Sequence, residues 1–149
     1  MLLVVTSLTV PVAAKTTTIK DAQVKPTIGL IINGADYGDL DGDGLCDDAV
    51  GWFDIYLSGS QRYSFFLSLS IENPSGVRTT YSYSVNTIYE ILHCTMYFYD
   101  HVVESGDYVF IVEALLVTGG SDYQYAEYVF DPPGGSGNSD PCGLLLVTA

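Results

Sequence analysis

The chain has 149 residues, enough for one domain with a sizeable core and too few for a multidomain enzyme. Its 18 Asp and Glu against 5 Lys and Arg give a formal charge of −13, so nucleic acid and anionic membrane surfaces would repel it, and its natural soluble partner is a cation. Only 15% of the residues are charged, 48% are hydrophobic, and 15 Gly and 12 Tyr stand beside few helix formers, which excludes a disordered acidic tail or a helical bundle and predicts an all-β domain.

The first element is an apolar run, residues 2–10, followed by Pro11 and by Val12-Ala13-Ala14-Lys15. Small residues three and one positions before Lys15 resemble a signal-peptidase site, so residues 1–14 read as a signal peptide and the protein as extracellular or cell-surface. No Lys or Arg precedes the run, and its β-branched composition also suits a retained strand. Such a strand could be donated to a neighbouring copy, with residues 16–23 as its tether. The run is too short to span a bilayer. All three lysines, Lys15, Lys20 and Lys25, fall before Pro26; the rest of the chain sets 17 carboxylates against Arg62 and Arg78 alone.

After a predicted strand over 27–33 comes an acidic stretch with six carboxylates in residues 36–48. Its centre, Asp39-x-Asp41-x-Asp43-Gly44-x-x-Asp47, has the spacing of the first nine positions of an EF-hand-like loop. Alternate carboxylates on a tightly turning backbone point to one centre, Gly44 permits the turn, and the next carbonyl, that of Leu45, joins them. Hard oxygen ligands from Asp39, Asp41, Asp43, Leu45 and Asp47 select Ca²⁺; Asp48 is the alternative or additional carboxylate, and Asp36 a further candidate. Position 12 is Val50, where an EF-hand has Glu, and helical flanks are missing. The loop therefore resembles the DxDxDG calcium loops of thrombospondin type 3 repeats and dockerins. That resemblance implies a structural, extracellular calcium site.

Strands follow over 50–57, 63–71, 79–85, 88–99, 108–117 and 123–130, separated by Gly-, Pro- and Ser-rich turns. The clearest is 63–71, where Tyr63, Phe65, Leu67, Leu69 and Ile71 alternate with mostly hydroxylated residues. Seven to eight such strands predict an antiparallel β-sandwich over residues 15–130, immunoglobulin-like or jelly-roll-like. Residues 131–142 read as a Pro/Gly/Ser linker. Beyond it an apolar segment, 143–149, either folds back as a last strand or completes a neighbour's sheet.

Glu104-Ser105-Gly106-Asp107-Tyr108-Val109-Phe110 resembles the Asp-Ser-Gly-x-Tyr-x-Cys corner of immunoglobulin-type domains, with Glu104 for Asp and Phe110 for Cys. The resemblance implies that the Tyr108 hydroxyl bonds back to the turn and that the usual intersheet disulfide is missing. Residues 54–117, with their Asn-Pro-Ser-Gly turn, also resemble prepeptidase C-terminal sandwiches.

Cys46, Cys94 and Cys142 permit one intramolecular bridge at most, leaving a thiol that is buried or free to crosslink copies. His93 and His101 have no zinc-ligand or triad spacing, and His93 and Cys94, as neighbours on a strand, point to opposite faces. No nucleophile elbow or phosphate loop is present, so no enzyme is expected. Tyrosines at 81, 83, 97, 99, 123, 125 and 128 suit core or interface packing, or a sugar-stacking face. The expectation is a calcium-stabilised structural subunit of an extracellular filament or cell-surface layer, homo-oligomeric through terminal strand exchange. A carbohydrate-binding or adhesion module with a glycan partner is the alternative.

Overall fold

A computed structural model describes residues 24–132 and 142–149. The expected signal peptide or donor strand and most of the 131–142 linker lie outside the described residues. Eight strands run β1 (Thr27–Gly38), β2 (Asp48–Ser58), β3 (Tyr63–Glu72), β4 (Arg78–Thr87), β5 (Ile91–Tyr99), β6 (Tyr108–Leu116), β7 (Asp122–Phe130) and β8 (Cys142–Thr148). They form two four-stranded antiparallel sheets, β1-β2-β5-β8 and β4-β3-β6-β7, packed as a β-sandwich. Setting β1-β2-β5 against β3-β6-β7 repeats the ABE and CFG connectivity of immunoglobulin-type sandwiches. No helix among the described residues is long and apolar enough to cross a membrane.

Strict alternation makes β3 the clearest strand: Tyr63, Phe65, Leu67, Leu69 and Ile71 are all buried against the opposite sheet. β1 runs five residues past the boundary its sequence pattern suggests, because the register shifts between Ile32 and Gly34. A bulge there resets the alternation that would otherwise have extended the pattern. Gly34 also makes room for the Trp52 ring, since a Cβ at that position would lie 2.6 Å from it. β5 starts at Ile91, three residues later than expected. Residues 88–90 instead cross between the sheets, and the Glu90 carbonyl accepts from Leu57 N–H at 2.7 Å.

The interior is aromatic at its centre. Phe110 meets Phe53 and Phe98 with ring centroids 6.1 and 5.8 Å apart, and all three are buried. Phe110 is the residue at which the corner motif that the sequence resembles has Cys. Opposite it, on β2, stands Gly51, where a Cβ would come within 2.3 Å of the Phe110 ring. One ring against a bare backbone thus fills this space. The corner bond is present as well: Glu104 N–H donates to the buried Tyr108 hydroxyl at 2.8 Å.

The two sides of the sandwich close differently. On one side β1 lies against β7, and Ile28 N–H donates to Asp122 Oδ2 at 3.0 Å. On the other, β4 meets β8 through the Tyr81 ring, which lies over Gly143 where a Cβ would come within 2.9 Å of it. The 143–149 segment folds back as β8, pairing with β5 from His93↔Thr148 to Tyr99↔Cys142. Leu145 packs on the core from this edge, while Val147 remains 40% exposed.

Candidate metal centre

Residues 39–47 connect β1 to β2 at one end of the sandwich, and β5 brings Asp100 to the same end. Ala49 pairs with Phe98, which places the start of β2 beside the end of β5. The loop is folded by its own carboxylates. Asp39 accepts from Gly42 N–H at 2.8 Å and Gly44 N–H at 3.1 Å, Asp41 from Asp43 N–H at 3.0 Å, and Asp43 from Leu45 N–H at 2.7 Å. Gly44 has φ +92°, a left-handed conformation that L side chains disfavour, which is the turn the motif requires.

Asp48 is the hub of the end. It is fully buried; one oxygen accepts from Leu40 N–H at 2.6 Å and Asp41 N–H at 3.1 Å, the other from Asp100 N–H at 2.9 Å. Asp47 is equally buried, and its carbonyl accepts from Val102 N–H at 2.7 Å. The loop is thereby tied to the β5–β6 connection. That connection is tied in turn to the β3–β4 turn, because Glu104 Oε2 accepts from Ser75 N–H at 3.1 Å and its other oxygen from Ser75 Oγ–H at 2.9 Å.

Three overlapping carboxylate groups have ligand atoms within 4.8 Å of one another: Asp39, Asp41 and Asp43; Asp41, Asp48 and Asp100; and Asp43, Asp47 and Asp100. These groups can hold a metal ion. Asp39, Asp41, Asp43, Asp47 and Asp48 each belong to at least one of these groups, with Asp41, Asp43 and Asp100 shared between them. Leu45 sits half-buried among them. Asp36 belongs to none of the groups; it lies on β1 opposite Val50 and accepts from Tyr37 N–H at 2.8 Å, a correction to its candidacy.

Asp100 is the ligand candidate that the sequence reading misses. It lies outside the motif, and only the β2–β5 pairing delivers it. Its φ of +60° is the one positive value among the described non-glycine residues, a conformation Asp tolerates better than most. One of its carboxylate oxygens is buried without a hydrogen-bond partner, as a group awaiting a cation would be. Loss of solvent, and then the charges of Asp47, Asp41, Asp48 and Asp43, raise its pKa above the ordinary 3.8.

Among the described residues the salt bridges are Arg78–Glu72, at 2.8 Å and at the same end of the fold, and His93–Asp54. Carboxylates crowded at one end of a fold repel one another, and the orphaned Asp100 oxygen adds to that cost, so the donor set fits a hard cation.

The other reactive residues sit elsewhere. His93 lies on the outer face of its sheet with Nδ1 2.7 Å from Asp54 Oδ1, while Cys94 faces the core and burial pushes its thiol up to about 12. His101 Nδ1–H donates to the Tyr99 carbonyl, so Nε2 accepts from the Tyr81 hydroxyl at 3.1 Å. Burial lowers the His101 pKa and keeps the ring neutral. Neither imidazole hydrogen-bonds a Ser, Thr or Cys side chain among the described residues. Cys46, Cys94 and Cys142 are free thiols, the first and last exposed. Comparison with protein-family models, curated proteins and solved structures gives no match.

Proposed function

We propose that the chain is a calcium-stabilised structural subunit of an extracellular filament or cell-surface layer, joined to its copies by exchange of a terminal strand. The observation that carries this reading is the acidic end, where the buried Asp47 and Asp48 stand with Asp39, Asp41, Asp43 and Asp100 in three overlapping carboxylate groups. Six carboxylates and the Leu45 carbonyl match the oxygen-rich shell that Ca²⁺ takes, and Mg²⁺ prefers a smaller octahedron with retained water. Extracellular calcium is abundant enough to keep even a weak site filled. The loop and Asp100 bring together the ends of β1, β2 and β5 of one sheet at the start of the connection to β6 of the other, so the ion acts as a rivet and not as a switch. Strand exchange follows from the apolar residues 2–10 and from β8, a terminal strand at a sheet edge. Electron microscopy of the purified protein with calcium and with chelator tests the reading: filaments or sheets that loosen in chelator support it, and dispersed monomers at millimolar calcium contradict it.

A carbohydrate-binding role is favoured by one observation of its own. Tyr123 and Tyr125 stand 53% and 47% exposed on the outer face of the β4-β3-β6-β7 sheet, their hydroxyls bonded to Glu113 and Glu127. Aromatic faces beside carboxylates suit sugar rings. A glycan array that is positive for one sugar class and loses signal on Tyr123→Ala would put this role first.

A further inference from the structure

The four edge strands of the sandwich are not equally protected. β1 is interrupted by a bulge, β7 carries Asp122 and Glu127, and the two cover one another. Both charge and bulging are devices that stop an edge from recruiting further strands. β4 has neither. Its ten residues pair with β3 in unbroken register from Glu72↔Arg78 to Tyr63↔Thr87, and after Arg78 they are wholly uncharged. Across the gap β8 is also unbroken and uncharged. Their core-facing residues Tyr83, Val85 and Leu145 stay only half-buried and Val147 is 40% exposed, whereas the neighbouring β3 residues Leu67 and Phe65 are 1% exposed. Among the described residues no further strand covers the β4 edge.

Resting on the assembly reading above, and taking residues 1–14 as a retained strand and not as a removed signal peptide, we propose that the β4 edge is the acceptor and that its occupant is residues 2–10 of a second copy. The donor run, Leu-Leu-Val-Val-Thr-Ser-Leu-Thr-Val, is nine residues against ten in β4, and it contains no charge and no proline. Its even positions, Leu2, Val4, Leu8 and Val10, alternate as a strand facing Tyr83 and Val85 requires, with Thr6 among them. The absence of charge matters in a chain of formal charge −13, since a strand bearing carboxylates would be repelled from its own copies. The chain from residue 11 to 23 gives a tether of up to about 43 Å when extended, and the described chain begins at the β1–β7 side, across the sandwich from β4. A head-to-tail contact of this kind generates a filament wherever its rotation does not close into a ring.

A complementation experiment tests it. Deleting residues 2–10 leaves the acceptor and every core residue, since the core begins at Ile28. Val85→Lys leaves the donor and puts an inward-pointing charge on the edge. Each variant alone is expected to stay monomeric and folded, and an equimolar mixture to give one-to-one dimers by light scattering. Should Val85→Lys fail to fold, a synthetic peptide of residues 2–15 added to the deletion variant decides; a raised Tm and saturable binding are expected. Polymers that persist after the deletion, or a peptide that does not bind, overturn this acceptor and donor while leaving assembly through β8 standing. A wild-type chain that stays monomeric, and whose Val85→Lys variant melts lower because the run inserts into its own edge, overturns this proposal and the assembly reading together.

Discussion

Phe53, Phe98 and Phe110 meet ring to ring and take everything they need from the chain itself. At one end of the same sandwich, Asp39, Asp41, Asp43, Asp47, Asp48 and Asp100 form three overlapping groups of like charge, and one Asp100 oxygen is buried without a hydrogen bond. The interior closes by volume, one ring in the space over Gly51. The acidic end has charge that volume cannot satisfy. One fold can therefore be stabilised in two currencies, and they separate experimentally because only the second depends on what the solvent contains.

The largest effect is expected inside. Phe110→Ala removes a buried ring and should cost roughly 3–5 kcal/mol in denaturant unfolding, by the same amount with calcium or with chelator. Gly51→Ala, overpacking the same spot, should cost about 1–3 kcal/mol, and pairing it with Phe110→Leu should recover part of the loss. Chelation comes next. An ion present at about 100 times its Kd adds about 2.7 kcal/mol, so its removal should lower the Tm on the order of 10 °C for a domain of this size. An equal loss from chelation in Phe110→Ala and wild type would show the two regions to be independent; a much larger loss in the variant would show them coupled.

Asp100→Asn sharpens the comparison by reversing sign. With calcium it removes a ligand and should weaken binding roughly tenfold or more; in chelator it removes repulsion and should raise the Tm. Tyr108→Phe lies between the regions, deleting the acceptor of Glu104 N–H, and should cost roughly 1–2 kcal/mol in both conditions.

The smallest expected effect is that of pH. The Asp100 pKa is raised in the folded state, so its charge opposes folding above the ordinary 3.8, and that opposition is relieved as pH falls through the raised value. Asp54 behaves oppositely. Burial pushes it up, but bonds from Asn33, His93 and Tyr56 outweigh that and hold it below 3.8, so its stabilisation is present above 3.8 and lost as pH falls through the lowered value. Chelated protein should accordingly gain Tm on mild acidification before losing it, whereas calcium-loaded protein should only lose it as protons displace the ion.

What the sequence discloses divides along the same line. The strands are legible wherever one face is buried and the other wet, as in β3, and the loop is legible because its ligands are consecutive on one turn. β1 is cut short at Asn33 because a bulge breaks the period that pattern reading relies on. Asp100 is invisible because its partners lie 52 residues away and depend on which strands pair. Gly51 opposite Phe110 is hidden for the same reason, although Phe110 in place of Cys marks one half of it.

Titration calorimetry of Ca²⁺ into metal-free protein, run on wild type, Asp48→Asn and Asp100→Asn, reaches the central claim most directly. Saturable binding by wild type, weakened in both variants, is the expected result. No binding heat at millimolar calcium, or binding that Asp100→Asn leaves unchanged, would contradict an ion seated between the loop and the end of β5.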